Sequence, residues 1–293
     1  MIRVTVAGGM WTAADKLFNI LSGQGVRVRA LIEDPLMKGI SRKKGSLEFI
    51  GVNLEDPLSL RVAFQDTDRA FLVCGNSARP PRYDLALIDA AVRAGVPYLV
   101  NLSEGGGYPG QSAREWQSET DIHLARQSIQ TTRIHPSLSF DAVFTVASRF
   151  IPMALWGGSA GSGQAALVDS RDVAAAAARI LLEGAERHAD KRYTLTGPAA
   201  VTMGYLADYL SETLARKVRY FRRTRDEQRG VYLNAGLCST GIDRLLGQDA
   251  LICNGFYAEI TADIVKLTHR PATTAVDWIE EHAEKFVALV GGQ

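Results

Sequence analysis

The chain has 293 residues, 46% hydrophobic and 22% charged, with a net charge of +1, which is long enough for one large core or a principal core with a smaller appended one. The near-zero charge supplies no general attraction for nucleic acid or an anionic membrane, and no apolar run approaches a membrane span. Cys74, Cys238 and Cys253 are odd in number and far apart, and the five histidines are scattered, so no metal-ligand spacing occurs and a reducing cytoplasm without a signal peptide is expected.

Ile2 to Ala7 reads as a short buried strand, Gly8-Gly9 as a tight turn, Ala13 to Ser22 as a helix and Val26 to Ile32 as a second strand. That order of elements opens a nucleotide-binding α/β fold. Lys38 to Lys44 reads as a polar helix or loop, and Leu47 to Ile50 as a third strand. Asp56 caps and Pro57 opens a helix through Phe64. Arg69 to Cys74 is almost wholly apolar, as a parallel strand covered on both faces must be. The helix Tyr83 to Ala94 sets Leu85, Ile88, Ala91 and Val92 on one face and stops at Gly95, and Val96 to Leu102 is a fifth strand. Such alternation predicts a doubly wound parallel sheet with right-handed crossovers.

Gly105 to Gly110 forms a loop beyond the carboxyl end of the fifth strand, the edge where such sheets bind ligands. A helix over Ala113 to Gln127, a strand over Thr131 to His135 and a helix after Pro136 follow. The glycine-rich stretch Trp156 to Gly163 suits a lid or a connection between lobes better than a core element. Asp172 to Leu182 is an alanine-rich helix, Arg192 to Leu195 a strand, Met203 to Leu214 a helix and Val218 to Phe221 a strand, after which helices run to Ala288. Residues 1–155 are read as a Rossmann-type domain, its sheet completed by later segments, and residues 156–293 as a smaller α+β substrate lobe with C-terminal helices. Between Arg216 and Arg229, seven basic residues against Asp226 and Glu227 alternate with Val218, Tyr220 and Phe221. A solvated face or an oligomer contact explains this pattern, and an anion site is the alternative.

The stretches Val28 to Pro35, Asn53 to Leu60, Asp68 to Val73, Leu87 to Val96, Leu167 to Ala174 and Tyr193 to Pro198, in that order and spacing, resemble the NmrA-like group of atypical short-chain dehydrogenases/reductases. The resemblance covers nearly the whole chain. It implies a Rossmann domain, a small C-terminal substrate lobe and a cleft between them. The group includes NAD(P)H-dependent reductases, nucleotide-sensing regulators and members that have lost the nucleotide.

Three features depart from the group's cofactor pattern. Gly8, Trp11 and Ala14 align with positions that are usually glycine, glycine and glycine or alanine, and an indole at the second would fill the pyrophosphate approach. The turn could instead shift to use Gly9 and aim Trp11 elsewhere. Glu33, at the end of the second strand, accepts from a ribose hydroxyl but repels a 2′-phosphate, while Arg29 is placed by alternation on a sheet face. No lysine follows Tyr108 at the spacing that lowers a catalytic tyrosine's pKa.

The loops at the carboxyl ends of the strands offer Cys74, Asn76, Ser103, Glu104, Tyr108 and His135. Glu104, Tyr108, Ser103 and His135 are the catalytic candidates. Gly8, Gly9, Trp11, Ala14, Glu33, Cys74 and Asn76 would hold a cofactor if one is retained. Trp116, Phe140, Phe144, Trp156 and Phe256 would form an aromatic substrate wall. On this reading the leading expectation is an enzyme with a degenerate dinucleotide site and no cofactor, carrying out a redox-neutral cyclisation, dehydration or isomerisation of an aromatic or polyketide-like natural product. The alternatives are an NAD(P)H-dependent reductase of a quinone or ketone, using NAD or NADP, and a non-catalytic ligand or nucleotide sensor. The expected partner is a small-molecule substrate, with no nucleic acid and no membrane; homo-oligomerisation is left open.

Overall fold

The computed structural model describes the backbone of residues 1–8, 13–33, 41–74, 82–103 and 113–290, and the side chains of all of these but 41–44, 113–118 and 287–290. The chain divides into two compact units, residues 1–136 with 173–194, and residues 137–172 with 195–293. The boundary therefore differs from the expected break at residue 155. The segment 137–155 packs with the later helices, and 173–194 returns to the first unit, where its strand completes the sheet edge.

The first unit carries β1 (Arg3–Gly8), α1 (Ala14–Gly23), β2 (Arg27–Glu33), β3 (Ser41–Lys44), β4 (Leu47–Val52), α2 (Pro57–Ala63), β5 (Arg69–Cys74), α3 (Arg82–Arg93), β6 (Tyr98–Ser103), α4 (Ala113–Ala125) and β7 (Gln130–Pro136). In the second unit α5 (Phe140–Phe150), β8 (Gly157–Gly158) and β9 (Gln164–Ala165) follow, before α6 (Ser170–Glu183), α7 (Ala185–His188) and β10 (Arg192–Leu195) run back into the first. Eight strands pair in the order β10-β7-β6-β5-β1-β2-β4-β3. The β1–β2, β2–β4, β1–β5, β5–β6 and β6–β7 pairs are parallel. All six residues of β6 and five of six in β5 are buried, as expected of central strands covered on both faces.

Ser41–Lys44 is a strand rather than the expected polar helix or loop. It turns back antiparallel on β4, Lys44 opposite Leu47, through Gly45 at φ +62, and its basic sequence suits an edge that resists further pairing. At the start of α2 the Asp56 carboxylate accepts from the Leu58 and Ser59 amides, the predicted cap. Arg29 lies 9% exposed on the sheet, donating to Glu48 and to the carbonyls of Ala63 and Gln65, so it serves the sheet face. Arg69, at the start of β5, donates to the Leu181 carbonyl and ties α6 to the sheet. Gly184 leaves room for that guanidinium, since a Cβ there would meet it at 2.6 Å.

The second unit adds β11 (Val201–Thr202), α8 (Met203–Thr213), β12 (Phe221–Arg222), α9 (Arg225–Asn234), α10 (Ser239–Cys253), α11 (Asp263–Thr268) and α12 (Ala275–Val290). Its core is aromatic: Trp278 stacks on Phe140 and Phe144 at 5.4 and 4.8 Å, and Phe286 meets Phe144 edge-on at 5.2 Å. The stretch 156–163 is a packed element rather than a lid. Trp156 is 3% exposed, and β8 pairs parallel with β12. A Cβ at Gly157 or Gly163 would lie 2.3 or 2.4 Å from the carbonyl oxygen of Phe221 or Ile252, so these glycines are there for close backbone approach. The expected strand over Val218 to Phe221 is confined to Phe221–Arg222. Thr224 and Glu227 then close a reciprocal capping box on α9.

Candidate functional site

The carboxyl ends of β1, β5, β6 and β7 lie side by side, which puts Gly8, Cys74, Ser103 and His135 in one row along the sheet edge. Three strand spacings of about 4.8 Å make the row about 14 Å long. Such an edge, beside the first strand of a doubly wound sheet, is where these folds take ligands.

At one end of the row, Gly8 leaves β1 at φ +112, opposite Val73. A Cβ at this position would stand 2.0 Å from the Val73 carbonyl oxygen, so only glycine fits. The chain then enters α1, whose flanking Ala13 is fully buried and provides no side-chain cap. Ala13 therefore leaves the positive end of the helix dipole without a side-chain cap of its own, with Ala14 as the small residue at the helix start. Asp15, in the same turn, is exposed. At the end of β2, Glu33 is exposed. Among the described residues, a position at the end of β1 where only glycine fits, the start of α1 and a carboxylate closing the second strand fit a dinucleotide, with Gly8 and α1 on the pyrophosphate side and Glu33 on the ribose side.

At the other end, alternation sets Asn101, Ser103, Arg133 and His135 on one face of the sheet, Asn101 being the register partner of Arg133. Leu124 of α4 packs with Leu72, Cys74 and Leu99 on that face, which brings Thr120 and Asp121 of the same helix to the polar residues. Asn101, Ser103, Thr120 and His135 are at most 5% exposed. His135 Nε2 lies 3.4 Å from Asp121 Oδ2, and Arg192 of β10 lies 3.7 Å from the same oxygen. Among the described residues, both amide atoms of Asn101, Oγ1 of Thr120, Oδ1 of Asp121, Nε of Arg133 and both ring nitrogens of His135 are buried without a hydrogen-bond partner. Concentrating so many unsatisfied polar atoms in a core costs about 1–3 kcal/mol for each group. Natural folds keep such clusters where a ligand, ordered water or chemistry uses them. A carboxylate beside an imidazole is an arrangement that holds and moves a proton.

The structure brings together Ser103 and His135 of the catalytic candidates, and Gly8, Ala14 and Glu33 of the cofactor set. Gly9, Trp11, Asn76, Glu104 and Tyr108, and the side chain of Trp116, lie outside the described residues. Cys74 is fully buried in the core of the first unit, and Phe140 and Phe144 belong to the core of the second, not to an exposed aromatic wall. Phe256 is half-buried, edge-on to Tyr257 at 5.0 Å, and Trp156 lines a recess within the second unit. His123 of α4 is half-buried and bound to Asp89 of α3 at 2.7 Å. Sequence reasoning missed Asn101, Thr120 and Asp121. The signal was an asparagine at an inward position of a strand otherwise reading as continuous core.

No protein-family model matches the chain. The NAD(P)H azoreductase of Xenophilus azovorans is 25% identical over 287 residues, spanning 97% of this chain and 99% of the relative. The NADPH-dependent quinone oxidoreductase of Escherichia coli, solved with NADPH, superposes with a TM-score of 0.83 at 21% identity, covering 96% of this chain and 99% of that one. NmrA, a negative transcriptional regulator solved with NAD, superposes with a TM-score of 0.73 at 13% identity, covering 100% and 98%. The chain shares the Rossmann-type fold of these proteins, NmrA among them.

Proposed function

We propose that the protein is a nicotinamide-dependent reductase of a small quinone-like or azo acceptor, with NAD(H) preferred over NADP(H). The observation that carries this reading is Gly8 at the carboxyl end of β1, held at φ +112 so close to β5 that only glycine fits, at the place where such folds take a dinucleotide. The azoreductase and quinone oxidoreductase relatives favour hydride transfer over the redox-neutral step expected from the sequence, and favour a cofactor over none.

The cofactor, when bound, supplies hydride. Gly8 and the first-turn amides of α1 hold its pyrophosphate, and Glu33 accepts from the ribose while opposing a 2′-phosphate. Reducing a quinone to a hydroquinone takes one hydride and one proton. His135, paired with Asp121 at 3.4 Å, is the proton source. Addition of hydride turns a quinone oxygen into a resonance-stabilised phenolate that then takes up the proton, so a tyrosine with a lowered pKa is not required. That fits a chain in which Tyr108 has no lysine at the catalytic spacing.

The test is the anaerobic decay of nicotinamide absorbance on adding a benzoquinone or an azo dye to enzyme and NADH. Turnover that is lost in Gly8→Ala and slowed in His135→Gln supports the reading. Absence of turnover with every nicotinamide and acceptor pair overturns it.

A further inference from the structure

His135 is 5% exposed, and a dinucleotide and acceptor on the carboxyl edge of the sheet would cover it further. Each turnover takes one proton from it, so each must return one by a route behind the reacting partners.

Behind His135, on the sheet face under α4, the polar groups do not bond one another directly. Nε2 of His135 and Oδ2 of Asp121 are 3.4 Å apart, and Arg192 stands 3.7 Å from the same oxygen. Both gaps exceed the roughly 2.7–2.9 Å of a direct charge-assisted hydrogen bond. Nδ1 and Nε2 of His135, Nδ2 and Oδ1 of Asn101, Oγ1 of Thr120, Oδ1 of Asp121 and Nε of Arg133 are all buried and have no hydrogen-bond partner in the protein. Asn101 is fully buried and Thr120 is 1% exposed. Leu124, one turn further along α4, joins the apolar core and bounds the cluster on its inner side. Exposure rises in the other direction, from 13% for the Asp121 side chain to 58% for that of Arg192 on the edge strand β10.

The set mixes donors with acceptors. The Asn101 amide nitrogen, Arg133 Nε and the Thr120 hydroxyl donate, the Asn101 and Asp121 oxygens accept, and the imidazole does either. An anion here is opposed by Asp121, and a cation by Arg133 and Arg192. Water both donates and accepts, and a buried water makes about three hydrogen bonds to groups of this kind, so these atoms suit about two of them.

We infer that Asn101, Thr120, Asp121 and Arg133 hold a short chain of ordered water that carries protons from solvent at the Arg192 edge to His135. As the ring N–H bond breaks and the O–H bond of the reduced acceptor forms, the adjoining water gives a proton to the ring nitrogen and takes one from its neighbour, which is resupplied from bulk solvent. One proton enters for each one used, and no electron moves along the chain. Asn101 and Thr120 are positioning residues, acting on His135 through the water they hold. The use of this path in turnover rests on the reductase reading, whereas the path itself does not.

The test follows the ring N–H of His135 in the full-length protein, isotopically labelled at its histidine nitrogens, by magnetisation transfer from water in nuclear magnetic resonance. The signal is assigned by its loss in His135→Gln. Transfer from water to the ring proton is expected in the native protein. Thr120→Val and Asn101→Leu, which nearly keep side-chain shape and remove the polar atoms, should each slow that transfer about tenfold. Loosening of the fold speeds the exchange of buried protons, so a slower transfer separates loss of the water chain from loss of structure. No transfer in the native protein, or transfer in both variants as fast as in the native protein, would overturn the inference. The native measurement stands even if a variant does not fold. It also needs no substrate, so a lack of turnover would sink the reductase reading and leave the proton path to be decided by the ring N–H alone.

Discussion

Gly8→Ala perturbs one methyl group at the point where fold and proposed cofactor site meet. The added Cβ would sit 2.0 Å from the Val73 carbonyl oxygen, so β1 and β5 must part by about 1.4 Å to reach an ordinary 3.4 Å contact. At φ +112 the new side chain also carries backbone strain of about 1–3 kcal/mol. Opening the ladder forfeits roughly one backbone hydrogen bond, worth about 1 kcal/mol. The sum is a destabilisation of about 2–4 kcal/mol. With a urea slope of about 3 kcal/mol per molar, the midpoint should fall by roughly 1 M. The matched control is Gly230→Ala in α9, where a Cβ meets nothing within 4 Å and the glycine has no positive φ. That variant should be stabilised by about 0.5–1 kcal/mol, as glycine is replaced by a better helix former. Far-ultraviolet circular dichroism across a urea series reads both. If Gly8→Ala unfolds at the wild-type midpoint, the close approach of β1 to β5 is not what demands glycine there.

Four further outcomes follow from named groups. Glu33→Arg should shift preference from NADH toward NADPH by at least tenfold, about 1.4 kcal/mol, measured as the ratio of kcat/KM for the two; an unchanged ratio would remove Glu33 from the ribose site. Asp121→Asn should lower kcat by about 10- to 100-fold with KM little changed, because it takes the neighbouring carboxylate from His135. Burial holds Tyr98 up at about 12, against a Thr132 hydrogen bond of 2.6 Å that pulls the other way. Its contribution to stability should therefore be full below pH 10 and be lost as pH rises toward about 12, a loss that Tyr98→Phe abolishes at a cost of about 1 kcal/mol near neutrality. Burial also pushes His188 below its ordinary value despite the Glu183 carboxylate at 2.9 Å. Protonation then favours the unfolded chain, so thermal stability should decline as pH falls from about 6.5 toward the native pKa, and His188→Gln should flatten that decline.

Most of the first unit was legible because its elements follow single-residue rules. β5 and β10 fall where an apolar run and a short β-rich run end, and α2 starts at the Asp56-Pro57 pair. What escaped was set by pairing and close approach, which leave little local trace. Ser41–Lys44 has the charge of a loop yet forms an edge strand because β4 offers it a partner. Trp156 to Gly163 has the glycines of a lid, but at Gly157 and Gly163 they answer to backbone atoms more than sixty residues away. Of the candidate residues, the positions of Gly8, Glu33, Ser103 and His135 at or next to strand ends were readable from the sequence. Asp121 was not, because its relation to His135 depends on how α4 docks on the sheet rather than on any spacing along the chain. Phe140 and Phe144 were misplaced for the converse reason: aromatic residues at helical spacing read alike whether they face a ligand or Trp278.

Whether the sheet edge at Gly8 holds a nicotinamide dinucleotide is settled most directly by isothermal titration of the native protein with NAD, NADH, NADP and NADPH. Micromolar binding of NADH, weaker binding of NADPH, and loss of both in Gly8→Ala are the predicted result. If none of the four binds, the hydride-transfer account is wrong and a cofactor-free role must take its place.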